Sequence, residues 1–271
     1  VFNDDQKTIQ RMTPMLQRVL IVDPQSANAR LISELMRNVA RSQVWTAPNT
    51  AKALQVARAV DPHVVFVEMA GPGLDGGDFS RQLRRSNLAC RQAPVIMVTS
   101  TATAAGIMAA RDAGVHEFLR RPFTMKDLLR RLEAVTLRPR DWIEAVGYVG
   151  PDRRRFNSGD YTGPLKRRSD PRETPESARI LQALKILKAA IVAVEADPAQ
   201  ALRSIQVQAA ELQKNAVAVS DLKLTTAAAD FQRWLAAATA KGPLTVAETS
   251  AAAAMLVAML PKEDERGQAA A

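Results

Sequence analysis

Arginine dominates the residues of this chain that could do chemistry. Two near-copies of one octad, Tyr148-Val149-Gly150-Pro151-Asp152-Arg153-Arg154-Arg155 and Tyr161-Thr162-Gly163-Pro164-Leu165-Lys166-Arg167-Arg168, begin 13 residues apart. Gly-Pro favours a turn and removes a backbone donor, so each copy should present its cations from a turned backbone beside an aromatic ring. Guanidinium forks with an aromatic platform nearby suit phosphate oxygens, as in a nucleotide, an RNA strand or a cyclic dinucleotide. The plainer reading is a solvated basic linker, packed by Trp142, Tyr148 and Tyr161. Both readings stand on the sequence.

Catalysis has little support. There is no Ser-His-Asp set, glycine-rich phosphate loop, zinc cluster or convincing carboxylate pair, so the chain is read as a non-enzyme with no cofactor. Cys90 is the only cysteine, which excludes an intramolecular disulfide framework and fits a reducing compartment. The two histidines, His63 and His116, precede apolar runs, where a capping or surface role is expected. Four other polar positions stand out by placement: Asp23, Glu68, Thr99 and Arg121 each lie at or just past the end of a short apolar run.

The elements that would position those four alternate regularly. Val19-Leu20-Ile21-Val22, Gln43-Val44-Trp45-Thr46, Val64-Val65-Phe66-Val67, Val95-Ile96-Met97-Val98 and Glu117-Phe118-Leu119 read as strands. Helix-like stretches separate them, the pattern of βαβ units on a parallel sheet covered on both faces. The expected fold is α/β, a five-stranded doubly wound parallel sheet, with a C-terminal all-α helical bundle. In such a sheet functional groups collect at the carboxyl ends of the strands.

In that order, with Pro72-Gly73-Leu74-Asp75-Gly76 in a loop and Arg121-Pro122-Phe123 after the fifth strand, about 120 residues resemble the CheY-like receiver domain of bacterial response regulators. The resemblance implies a flavodoxin-like strand order, a magnesium ion held by two acidic residues after the first strand and an acceptor aspartate, and a hydroxyl and a lysine contacting the phosphoryl group. Asp23 and Thr99 match. Pro24 stands at the second acidic position, Glu68 at the acceptor and Arg121 at the lysine. Loss of a ligand and a longer acceptor both argue against phosphorylation. Glu68 is then either a fixed imitation of the phosphorylated state, paired with Arg121 and near Thr99, or the product of drift in a scaffold. Phe118 sits at the family's switching aromatic, although a core role is equally natural. The Arg121-Pro122 bond is expected to be cis, as is usual in this family.

The segmentation that follows is a leader or fraying helix at 1–17, a degenerate receiver at 18–137, a basic linker at 138–175, a four-helix bundle at 176–262 and a tail at 263–271. Thr174-Pro175-Glu176 reads as a helix start, followed by Ile180, Leu184, Leu187, Ile191 and Val194 at helical spacing. Asp197-Pro198, Ser220-Asp221 and the capping box of Thr245 with Glu248 begin three more helices. Ala210-Glu211-Leu212-Gln213-Lys214-Asn215-Ala216 resembles the His-x-Leu-Lys-Gly-x-Ala helix of histidine phosphotransfer domains but lacks the histidine, so no phosphate relay is expected there.

The net charge of +9 favours an acidic partner. The leading expectation is a signalling adaptor of the two-component type that binds protein partners, with homo-oligomerisation open. The alternative is a cyclic di-GMP effector using Arg120, Arg121, Arg153, Arg154, Arg155, Lys166, Arg167, Arg168 and Asp170. Arg138-Pro139-Arg140-Asp141 and Arg167-Arg168-Ser169-Asp170 carry the short Arg-x-x-Asp pattern of such sites. Nucleic acid is disfavoured, because the alanine-rich C-terminal helices make a poor recognition surface. No run of about 18 apolar residues and no signal peptide appear, so a cytoplasmic location is expected.

Overall fold

The computed structural model describes residues 2–153 and 174–261. Contacts divide the chain into two units, residues 1–143 with 148–162, and residues 144–147 with 163–271. The first holds α1 (Phe2–Met12), a 3-10 turn at Thr13–Leu16, β1 (Arg18–Val22), α2 (Ser26–Ala40), β2 (Gln43–Ala47), α3 (Thr50–Val60), β3 (Val64–Glu68) and α4 (Gly76–Arg85). Next come β4 (Val95–Thr99), α5 (Ala104–Asp112), β5 (Glu117–Arg120) and α6 (Met125–Thr136). The short strands β6 (Trp142–Glu144) and β7 (Val149–Pro151) follow.

The five long strands form one parallel sheet in the order β2-β1-β3-β4-β5. This is the flavodoxin-like order, and the β-branched runs lie where the sequence puts them. Their uniform apolarity has a direct cause, because both faces are covered. Val19, Ile21, Val64, Phe66, Ile96 and Val98 pack with Ile32 and Met36 of α2 and Leu128 and Leu132 of α6. Their neighbours in sequence, Leu20, Val22, Val65, Val67, Val95 and Met97, point the other way, onto Ala53, Ala57, Phe79, Leu83 and Ala110. Each fully buried large side chain contributes about 1.5–3 kcal/mol. Helix starts are set by short polar side chains: Asn49 accepts from Lys52 N–H, Asp75 from Asp78 N–H, and Thr124 forms a reciprocal capping box with Asp127.

Residues 1–17, read as a leader or a fraying helix, form a helix and a 3-10 turn whose Met12 and Leu16 are fully buried in the core of the first unit, with Ile9 packed beside them. Only every third or fourth residue is apolar, which makes the stretch look polar while it still supplies one buried face.

The second unit contains α7 (Pro175–Val192), α8 (Pro198–Ala218), α9 (Leu222–Lys241) and α10 (Val246–Val257). Thr174, Asp197, Asp221 and Thr245 cap them as their spacing suggests. Leu184, Leu187, Ile191, Ile205, Leu212, Phe231 and Leu256 share one core with many alanines. Glu144 is a feature that periodicity does not show. It is buried in this unit, where its carboxylate accepts from Gln200 Nε2 (2.8 Å) and its carbonyl from Ser204 Oγ (2.9 Å) and Gln208 Nε2 (3.1 Å). Ala210, at the place of the phosphotransfer histidine, is exposed on α8.

Candidate functional site

The carboxyl ends of β1, β3, β4 and β5 bring Asp23, Glu68, Thr99 and Arg121 to one edge of the sheet. Strand register does this: Val22 pairs with Val67, Glu68 with Val98, and Thr99 with Arg120. Backbone bonds fix the exits, with Asp23 N–H donating to Ala47 O (3.0 Å), Met69 N–H to Val98 O (2.9 Å) and Arg121 N–H to Thr99 O (2.7 Å). The Arg121-Pro122 peptide is cis.

The guanidinium of Arg121 joins the two carboxylates. Its Nη2 donates to Asp23 Oδ2 at 2.9 Å, and its Nη1 donates to Glu68 Oε2. The other oxygen of each acid accepts a backbone N–H, Gln25 to Asp23 Oδ1 (2.8 Å) and Met69 to Glu68 Oε1 (3.1 Å). Every carboxylate oxygen therefore has a partner. All three side chains are largely buried, Asp23 at 2% side-chain exposure, Glu68 at 11% and Arg121 at 16%. The expected pairing of Arg121 with Glu68 is present, and the same guanidinium also bonds Asp23.

The remaining positions divide. Pro24 packs against the 70–76 loop, where a Cβ on Gly71 would fall 2.4 Å from Pro24 Cγ. Thr99 is buried but does not reach Glu68, because its hydroxyl accepts Thr101 N–H (3.2 Å). Phe118 lies in the core against α3, α4 and α5 residues, and Arg120 is exposed. Arg153 stacks over the Tyr148 ring at 4.4 Å and pairs with Asp112 at 3.0 Å, so it turns inward onto the first unit. Arg138, the arginine of the Arg-x-x-Asp pattern at 138–141, is exposed and pairs with Glu133 at 2.8 Å, while its neighbour Arg140 is half-buried, donating to the carbonyls of Asp152 (3.0 Å) and His116. Arg154, Arg155, Tyr161, Lys166, Arg167, Arg168 and Asp170 lie outside the described residues.

The histidine expectation changes as well. His116 is buried, and its Nδ1 accepts from Val95 N–H (3.2 Å) and from Arg84 Nη2 (3.2 Å). Burial, with Arg84 and Arg140 nearby, holds its pKa well below the usual value, so the ring is neutral. Arg84 itself was not singled out by the sequence. It is fully buried, donates to the carbonyls of Gly114, Arg91 and Ala93, and lies 5.3 Å from the Trp142 ring centroid. Burial pushes its pKa down to about 9.

Residues 19–133 match the family model of the response regulator receiver domain. This part of the chain is a receiver domain. The DNA-binding response regulator MtrA of Mycobacterium bovis is 26% identical to it over 123 residues, which is 45% of this chain and 52% of MtrA. Chemotaxis protein CheY-3 of Vibrio cholerae is 28% identical over 118 residues, 44% of this chain and 90% of CheY-3. The solved structure of Vibrio cholerae CheY4 aligns with a TM-score of 0.41 at 23% identity, covering 43% of this chain and 96% of that one. The chain spans about half the length of MtrA, and the match lies in the receiver domain. No helix among the described residues is long and apolar enough to cross a membrane.

Proposed function

We propose that this receiver domain signals without phosphorylation, as a non-catalytic protein-binding module whose carboxyl-end site is held in one state. A single observation carries the reading: the Arg121 guanidinium bonds both Asp23 and Glu68, the two acids at positions that the family resemblance assigns to holding a divalent ion. The donor set does not fit magnesium. That ion needs near-octahedral oxygen ligands, and here position 24 is proline while the two remaining acids already share a cation. Glu68 is also one methylene longer than the usual acceptor, and phosphoryl transfer depends on close in-line placement. The helical unit would serve as a second protein-binding element, and partners of a signalling pathway fit both.

A cyclic di-GMP effector remains the alternative, but Arg121 and Arg153 of its candidate set are used within the receiver. Titration with beryllofluoride and Mg²⁺, followed by Trp fluorescence and thermal shift, tests the leading reading. The wild-type chain should give no saturable response, whereas the combined Pro24→Asp, Glu68→Asp and Arg121→Lys variant should gain one that requires Mg²⁺. Saturable binding by the wild type would overturn the proposal.

A further inference from the structure

The receiver has a second feature at the opposite end of its sheet. A cavity of about 550 Å³ opens at the amino ends of β3, β4 and β5, a volume within the range of about 300–1,000 Å³ usual for small-molecule sites. His63 immediately precedes β3, Pro94 precedes β4 and His116 precedes β5, and all three line it. Met15, Val135 and Trp142 supply apolar wall.

The polar lining is unusual in sign. No carboxylate lines the cavity, while Arg140 does, and Arg84 and Arg91 lie 5.3 and 6.0 Å from the centroid of the Trp142 ring. Two imidazoles also contribute. Nδ1 of His116 accepts two hydrogen bonds, so the neutral ring carries its proton on Nε2, and that N–H has no partner among the described residues. Nδ1 of His63 is buried and likewise has none. The His116 Nε2–H is not shut off from solvent as His63 Nδ1 is, and an unpaired donor on the residue lining a largely apolar cavity offers its bond to an acceptor placed there.

We propose that this cavity is a binding site for a small planar organic acid: an apolar, aromatic body against Trp142, Met15 and Val135, with an anionic oxygen accepting from His116 Nε2–H. Aromatic body and acidic group are both required. The apolar wall alone would take any greasy molecule, but an electropositive rim without a carboxylate selects against cations and gives an anion the advantage. The site is independent of Asp23, Glu68 and Arg121, which lie at the other end of the strands.

The probe is 8-anilinonaphthalene-1-sulfonate, titrated into the full chain by fluorescence, with naphthalene-1-carboxylate and the neutral 1-naphthalenemethanol as competitors. Saturable binding is expected, displaced at least about tenfold more effectively by the acid than by the alcohol. Met15→Trp and Pro139→Trp, both on the exposed lip, should fill the cavity and weaken probe binding by about tenfold or more while far-UV circular dichroism and melting stay unchanged. Leu222→Lys, on an exposed apolar position of the helical unit, should leave binding unaltered. Absence of saturable binding, equal displacement by acid and alcohol, or loss of the signal in Leu222→Lys with retention in both lip variants would each overturn the proposal.

Discussion

The two ends of the receiver sheet each bury a guanidinium, and they satisfy it in opposite ways. At the carboxyl end Arg121 lies between two carboxylates. At the amino end Arg84 has no acid in its hydrogen-bonding shell, only three carbonyl oxygens, an imidazole nitrogen and the Trp142 ring nearby. The first cation is held by charge and the second by dipoles. Charge pairing has a loose geometry and depends on the ionisation of its partners, whereas four fixed acceptors specify one side-chain position and hold across a wide pH range. The end that would carry chemistry in this family is therefore held by an ion cluster. The end that carries none is built as rigid scaffold.

The largest effect that sharpens this contrast is expected for Arg84→Met. Three carbonyls and His116 Nδ1 would lose a donor, and the relief of an uncompensated buried charge offsets only part of that. A loss of about 4 kcal/mol in the denaturant-induced unfolding of the receiver is expected at neutral pH. Arg121→Met should cost less, about 2 kcal/mol, because the partly exposed site admits water. Addition of Mg²⁺ should restore part of that loss, because the two carboxylates are then left without their cation. An equal response of the two variants to Mg²⁺ would break the comparison between charge-held and dipole-held ends.

How much of this was legible in the sequence differs between the ends. Asp23, Glu68, Thr99 and Arg121 were visible because each terminates a strand, and strand ends follow from local apolar patterning. Arg84 was not, since its partners at Gly114, Arg91, Ala93 and His116 are brought to it by tertiary folding, 7 to 32 positions away in sequence. An arginine near a helix end otherwise looks like solvated surface. Glu144 escaped for the same reason, its acceptors and donors being set by α8. Sharing of Arg121 between two acids was equally hidden, because residue types do not say how a guanidinium divides its donors. Met12 and Leu16 were lost to low average hydrophobicity.

A smaller effect distinguishes the amino end by acid titration. The pKa of His116 is depressed in the folded chain, so the unfolded chain binds its proton first. Stability is fully present above the unfolded value near 6.5 and falls as pH drops below it, by about 1.4 kcal/mol per pH unit until the folded value is reached. Glu117, whose carboxyl is pushed up by burial, opposes this: its protonation on acidification favours the folded state. Unfolding midpoints of the wild type and His116→Gln between pH 7 and 5 should converge at the acid end; parallel curves would show that the imidazole does not titrate there. The least of the effects belongs to Thr124→Ala, which removes the capping box at the start of α6, just past Arg121. A loss of about 1 kcal/mol by thermal melting is expected, without change in beryllofluoride response.

Arg121 has a consequence for information as well as for structure. A diffusible divalent ion occupies its site only as the surrounding concentration allows, and chelators or competing ligands can empty it. A cation tethered to the same chain meets its carboxylates at an effective concentration fixed by the fold, which no change in the medium dilutes. On the phosphorylation-independent function proposed above, a receiver whose site is filled in this way has no setting to change, and the signal it carries is its own abundance.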